Sequence, residues 1–257
     1  MEVIRFVFSE FLKILGAAFL SLLAAKAVAS WKVTEEGSLA NQLARAKPWL
    51  YALVLVLAGL SAWNLGYDIA AEAYYWAGLR HAQNSEPVQA YLNSAQAVTL
   101  RPGIPRYWQS LEAAKFDLGQ CASVIDDKPA LDRLTQGRLE EVDSYRFALC
   151  FYLVGRYDEA LRITDGMTRE DRYYLPTYIL RGDVLNAQHK FGEAGQTFRA
   201  ALNILPTSQA AVEGLAHACF LDGDRRQALT VLTNASRLPF PIDAQKRFEA
   251  LQGLYGQ

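Results

Sequence analysis

Three histidines, three cysteines and two adjacent pairs of carboxylates are the groups in this chain with the chemistry to serve a reaction or hold a metal. His81, His189 and His217 lie more than 25 residues apart, and none sits in an HExxH arrangement. Cys121, Cys150 and Cys219 are an odd number with no CxxC pair, which excludes both a CxxC zinc site and a disulfide-framework protein. Asp126-Asp127 and Glu140-Glu141 have the residue types of a glycosidase pair, but neighbours in sequence point apart. Near expected helix ends they read instead as charge that favours a helix N-terminus. No GxxxxGK[ST] loop, GxGxxG turn or GxSxG elbow is present. Asn234-Ala235-Ser236 has the form of a glycosylation acceptor but falls inside an expected helix. The expectation is therefore a non-enzyme, with no cofactor, no metal and no small-molecule substrate.

Composition narrows the partners. Lys and Arg number 26 against 27 Asp and Glu, a formal net charge of −1, which argues against a nucleic-acid binder. Hydrophobic residues make up 51% of the 257, and the excess sits at the front. Between Lys47 and Asp68 nothing ionises: PWLYALVLVLAGLSAWNLGY has Trp49 and Tyr51 at one end and Trp63 and Tyr67 at the other. At ~1.5 Å per residue that length covers a ~30 Å hydrocarbon core with aromatic rings at both interfaces. The segment predicts a transmembrane helix over 48–70.

An earlier stretch, ILGAAFLSLLAA between Lys13 and Lys26, is too short to span by itself. Extended from Val3 to Ala29 it reads as a second membrane helix, with an in-plane amphipathic helix and a cleaved leader ending at Ala27-Val28-Ala29 as the alternatives. Small residues recur every fourth position in both segments, Ala17, Ser21 and Ala25 in one and Ala58, Ala62 and Gly66 in the other. Such rows let helices approach closely in lipid, though alanine is also simply frequent here. Lys26, Lys32, Arg45 and Lys47 surround the link between the segments, which places the link in the cytoplasm and the rest outside, in a bacterial periplasm.

Behind the membrane segment the chain repeats. GDVLNAQHKFGEAGQTFRAALNILP spaces Gly182, Ala194, Phe198, Ala201 and Pro206 by 12, 4, 3 and 5. These residues resemble the tetratricopeptide repeat, with small residues at positions 8, 20 and 27, an aromatic at 24 and proline at 32 of a 34-residue unit. Stepping from Leu175 gives units starting at Gln209, Glu141, Pro105 and Ala71, the unit at Pro105 carrying two extra residues and an irregular second helix around DDKPALDRL. The resemblance implies an all-α chain: two N-terminal membrane helices followed by a TPR α-solenoid. The boundaries are 1–47 for the first helix and a short cytoplasmic loop, 48–70 for the transmembrane helix and 71–257 for the repeats. The units are 71–104, 105–140, 141–174, 175–208 and 209–242, closed by a cap at 243–257 whose stripe is Phe248, Leu251 and Leu254. Since 49–83 contains no proline, the membrane helix is expected to run on into the first unit. A bridge between Cys121 and Cys150 of neighbouring units would suit an oxidising compartment, beside the reading of all three cysteines as small buried hydrophobes.

In tetratricopeptide folds positions 2, 5, 9, 12 and 13 line a concave groove. Here that implies Tyr75, Arg106, Phe116, Tyr145, Tyr152, Ile179, Asp183, Asn186, Glu213, His217 and Phe220. The lining is rich in aromatics, which suits an apolar-aromatic protein segment, with the alternative that Tyr145 and Tyr152 only fill a tight superhelix. His189 falls in an interhelical turn as a surface residue. The whole reads as a bacterial inner-membrane scaffold that binds other proteins, an accessory subunit or an assembly factor. Its layout is similar to that of the cytochrome c maturation chaperone. The alternative is a non-catalytic partner of a polysaccharide polymerase or ligase, since a membrane helix entering such repeats also resembles the end of O-antigen ligase-type enzymes.

Overall fold

The computed structural model describes the backbone of residues 39–256 and the side chains from Ala52 on, Val54 excepted. Ala17, Ser21, Ala25 and the segment expected to form the first membrane helix lie outside the described residues. Among the described residues the chain is all helical: α1 (Leu39–Gln83), α2 (Pro87–Leu100), α3 (Pro105–Asp117), α4 (Cys121–Thr135), α5 (Glu141–Leu153), α6 (Tyr157–Glu170), α7 (Leu175–Ala187), α8 (Phe191–Ile204), α9 (Gln209–Leu221), α10 (Arg225–Ala235) and α11 (Ile242–Gly256). Two compact units divide between Tyr107 and Trp108.

In the first unit α1 runs unbroken for 45 residues and takes in Pro48. No helix among the described residues is long and apolar enough to cross a membrane. The span expected at 48–70 includes residues 48–51 and 54, whose side chains are outside the described set. What is described of it is bare: Leu55 is 72% exposed, Trp63 69% and Leu60 60%, and Ala58, Ala62 and Gly66 are uncovered too. Burial begins abruptly at Ala71 and Glu72, where the repeat register begins. There α2 folds back on α1, and Gly78 admits it: a Cβ at Gly78 would fall 2.8 Å from Ser94 Oγ. Arg101, just past α2, holds Asp68 and Asn64 of α1 and lies over the Tyr67 ring.

The second unit contains the repeats of α4 to α11. The helix starts at Glu141, Leu175 and Gln209 are 34 residues apart, as are those at Tyr157, Phe191 and Arg225. Each helix packs on the next, and α5, α7, α9 and α11 also meet in succession, so the first helices of the hairpins make one continuous layer. Phe198 fills the crossing of three helices because Gly182 and Gly214 leave room for its ring. Around it Leu185, Ala194, Leu215, Ala216 and Phe248 are buried.

Position 15 of every unit turns the chain through the left-handed region: Ser85 (φ 60°), Gly119 (71°), Gly155 (80°), His189 (60°) and Gly223 (88°). The hydrogen bonds repeat with it. Gly155 N–H donates to Tyr152 O and Arg156 N–H to Phe151 O, and His189 and Lys190 make the same pair to Asn186 and Leu185. This is the Schellman closure, which satisfies carbonyls that the helix end would leave open.

Three local expectations need correction. The second helix of the 105–140 unit is continuous over Cys121–Thr135 although Pro129 in its interior lacks an N–H for the helix ladder, and Val124 and Leu131 keep a buried stripe. Asp126 and Asp127 therefore lie inside α4 rather than at its end, and Asp127 pairs with Lys115; Glu140 occupies the N-cap of α5 but makes no side-chain cap bond. In α11 Leu254 is 59% exposed, and the buried residues are Ala244, Phe248 and Tyr255. Their spacing follows 3.6 residues per turn, whereas Phe248, Leu251 and Leu254 step by three and drift off the face.

Candidate protein-binding groove

The proposed groove residues divide between the two units. In the first, Tyr75 and Arg106 belong to a cluster built on Glu72, only 6% exposed, which accepts from Arg106 and from Tyr107 Oη at 2.7 Å. The Arg106 guanidinium lies 5.3 Å from the Tyr75 ring centre and 5.4 Å from that of Tyr107. Burial raises the Tyr107 phenol, and Arg106 partly opposes the shift. A buried carboxylate held by a guanidinium and a phenol is a paired structural charge. Glu72 carried no motif that would have marked it in the sequence.

In the second unit, Phe116, Tyr145 and Tyr152 pack against the cluster that contains Cys121, Phe147, Cys150 and Phe151. They are half-buried. The Tyr145 ring stands edge-on to Tyr174 at 6.2 Å, and Tyr152 lies 6.0 Å from Tyr157. Burial raises both phenols, and the negative charge of Asp183 adds to each. Cys121 and Cys150 are joined by a disulfide with Cα atoms 4.8 Å apart, tying α4 to α5; Cys219 is buried and free.

Five of the expected residues line one cavity of about 500 Å³: Ile179, Asp183 and Asn186 from α7, and Glu213 and His217 from α9. Its far wall is α11, which contributes Arg247, Ala250, Leu251 and Tyr255. This helix therefore forms one wall of the cavity. Phe220 is half-buried, and the Tyr255 ring stacks on one of its faces at 4.3 Å and 14°. His217 Nδ1 is 3.3 Å from Tyr255 Oη, and Arg247 pairs with Glu213 at 2.9 Å. Sequence reasoning missed Arg247 and Tyr255, since α11 lies beyond the last repeat and has no register to read.

Two groups in this wall are unanswered. Asp183 accepts no hydrogen bond, and burial alone pushes its carboxyl up to about 6. One turn along the same face, Asn186 Oδ1 is buried without a hydrogen-bond partner. Away from the groove, Glu112, 2% exposed, has two buried oxygens without hydrogen bonds, with Lys115 Nζ at 4.0 Å. Burial pushes it up to about 8. Among the described residues no three His, Cys, Asp or Glu side chains converge as a metal site needs.

Helix hairpins recurring at 34 residues from Glu141 on, glycines beneath the helix approaches at 78, 182 and 214 and a cavity between successive first helices are features of the tetratricopeptide-repeat fold. Solved structures agree. MamA (residue 41 to the end) from Desulfovibrio magneticus RS-1 superposes with a TM-score of 0.60 at 16% identity, over 66% of this chain and 94% of that one. YrrB, described as a TPR protein with an unusual peptide-binding site, gives 0.59 at 14% identity, over 69% of this chain and 90% of its own. The likeness is one of fold. No protein-family model matches the chain, and no curated protein matches it significantly.

Proposed function

We propose that this chain is a membrane-anchored TPR scaffold that binds other proteins through the α7–α9–α11 groove, without catalysis of its own. It serves as an accessory subunit or assembly factor of a complex in the bacterial inner membrane. The observation that carries the reading is the cavity of about 500 Å³ between successive first helices, with an apolar floor and unanswered polar groups on its wall. Bare apolar side chains around α1 from Leu53 to Ile69 support an anchor, since a surface of that kind is unfavourable in water on every face. The Cys121–Cys150 disulfide supports an oxidising compartment and hence a periplasmic repeat region.

The experiment places a photo-cross-linking residue at Ile179 in the groove, or at exposed Gln196 outside it, in cells that express the full chain. Discrete protein adducts from position 179 and none from 196, with the chain resisting alkaline carbonate extraction, are the expected result. Extraction by carbonate would remove the anchor. Equal adducts from both positions would remove the groove.

A further inference from the structure

The groove proposed above holds an unbalanced charge. Asp183 and Glu213 face the cavity, and only Glu213 has a cation, the guanidinium of Arg247 at 2.9 Å. His217 directs Nδ1 to Tyr255 Oη at 3.3 Å. Asp183 has no donor from any element packed against it, although burial raises its carboxyl, and its field reaches Tyr145 and Tyr152 on α5. Asn186 Oδ1, three residues further along the same face, is a buried acceptor that also lacks a donor.

We infer that the partner segment taken up by this groove inserts a lysine or arginine side chain beside Asp183 and Asn186. The inference rests on the groove reading and specifies its chemistry. Desolvating a carboxylate without a partner is unfavourable, as is leaving a buried carbonyl oxygen unmet, and one multidonor cation answers both. The chain already uses this solution once: Arg247, from its own last helix, supplies the guanidinium for Glu213. An acidic segment would meet Asp183 with like charge and no compensating donor. A wholly apolar one would bury Asp183 further and leave Asn186 unmet.

The test selects phage-displayed dodecapeptides on the detergent-solubilised full chain, then measures the affinity of synthetic winners by fluorescence anisotropy. Winners should carry a lysine or arginine. Its replacement by glutamine should weaken binding about tenfold or more, and Asp183→Asn should weaken the basic peptide by a similar factor while leaving its glutamine version unchanged. Asp183→Asn preserves shape, so the fold persists, and Ile179→Trp, which adds bulk without charge, serves as the variant that blocks the groove for every peptide. Winners without a basic residue that Ile179→Trp abolishes would overturn the cation and keep the groove. No groove-dependent winner, or equal affinity for Asp183→Asn, would overturn the inference, the first of these taking the groove with it.

Discussion

Phe198 lies with its ring edge against the backbone of Gly182, so that a Cβ on Gly182 would fall 2.6 Å from ring atom Cε1. Gly214 closes the other side, where a Cβ would be 2.5 Å from Cζ, so the ring has no direction in which to yield. Alanine at 182 would gain about 1 kcal/mol of helix propensity. Overpacking in a closed site costs about 1–3 kcal/mol, and with the ring trapped the larger figure applies. Gly182→Ala should therefore lower Tm by roughly 4–8 °C, corresponding to about 2 kcal/mol. Phe198→Leu added to it should restore at least half of that loss. A Gly182→Ala melt equal to the parent's would show that the crossing is looser than these distances imply.

His189 occupies the left-handed turn position that glycine fills at 119, 155 and 223. A residue with a Cβ pays about 1 kcal/mol there, and the edge contact of His189 with Phe191 at 5.7 Å offsets only part of it. His189→Gly should stabilise the chain by about 0.5–1 kcal/mol, read by thermal or urea unfolding. Gly155→Ala should destabilise by a similar amount, since φ there is 80°. If both substitutions proved neutral, the turn would have to accommodate a side chain by another conformation.

The Cys121–Cys150 bridge closes a loop with a sequence separation of 29, which by the chain-entropy argument contributes about 3.6 kcal/mol. Dithiothreitol should lower the melting temperature of the parent but not that of the Cys121→Ser, Cys150→Ser variant. Protein from an oxidising host, denatured without reductant, should take up one maleimide–polyethylene glycol label, at Cys219, and three after reduction. Three labels without reductant would mean that the bridge does not form.

Glu112 stands at position 8 of its unit, where the other units have Gly78, Ala148, Gly182 and Ala216. Buried beside Asp143, Lys115 and Arg146, it holds its proton up to about pH 8 when folded, against an ordinary value of 4.5. The folded state thus binds the proton more tightly than the unfolded one, so its stabilising share is complete below about pH 4.5, falls as pH rises and is gone above about 8. Glu112→Gln should match the parent near pH 4.5 and exceed it increasingly up to pH 9. A constant difference across that range would show that Glu112 titrates normally.

Much of this architecture was legible from spacing alone. Gly182, Ala194, Phe198 and Ala201 fall where the helices cross because a repeat cannot bury its face without small residues at fixed places. The register brought Ile179, Asp183, Asn186, Glu213 and His217 to one cavity. It could not show the cavity's far wall. Tyr255, which stacks on Phe220, comes from a helix whose orientation only packing decides. Glu72 and Glu112 were silent because a carboxylate at a core position is visible only once its neighbours are placed around it.

Asp183 combines a cost to the fold with a place in the groove, and the two can be separated by titration. Its carboxyl is raised to about 6 in the folded chain from an ordinary 3.8, by burial. The proton is again held more tightly in the folded state, so below about pH 4 the group imposes no penalty, and between about 4 and 6 the penalty grows to its full value. Asp183→Asn should consequently raise stability at pH 7–8 by up to about 3 kcal/mol, since each tenfold gain in proton affinity on folding corresponds to about 1.4 kcal/mol. At pH 4 variant and parent should coincide. Such a gain at a residue facing a cavity is what a position kept for binding shows, because stability and recognition then make opposite demands on one carboxylate. Unfolding curves at the two pH values decide the matter. If Asp183→Asn destabilises at pH 7, the carboxylate is answered within the fold, and the cavity loses the charge that asks for a cation.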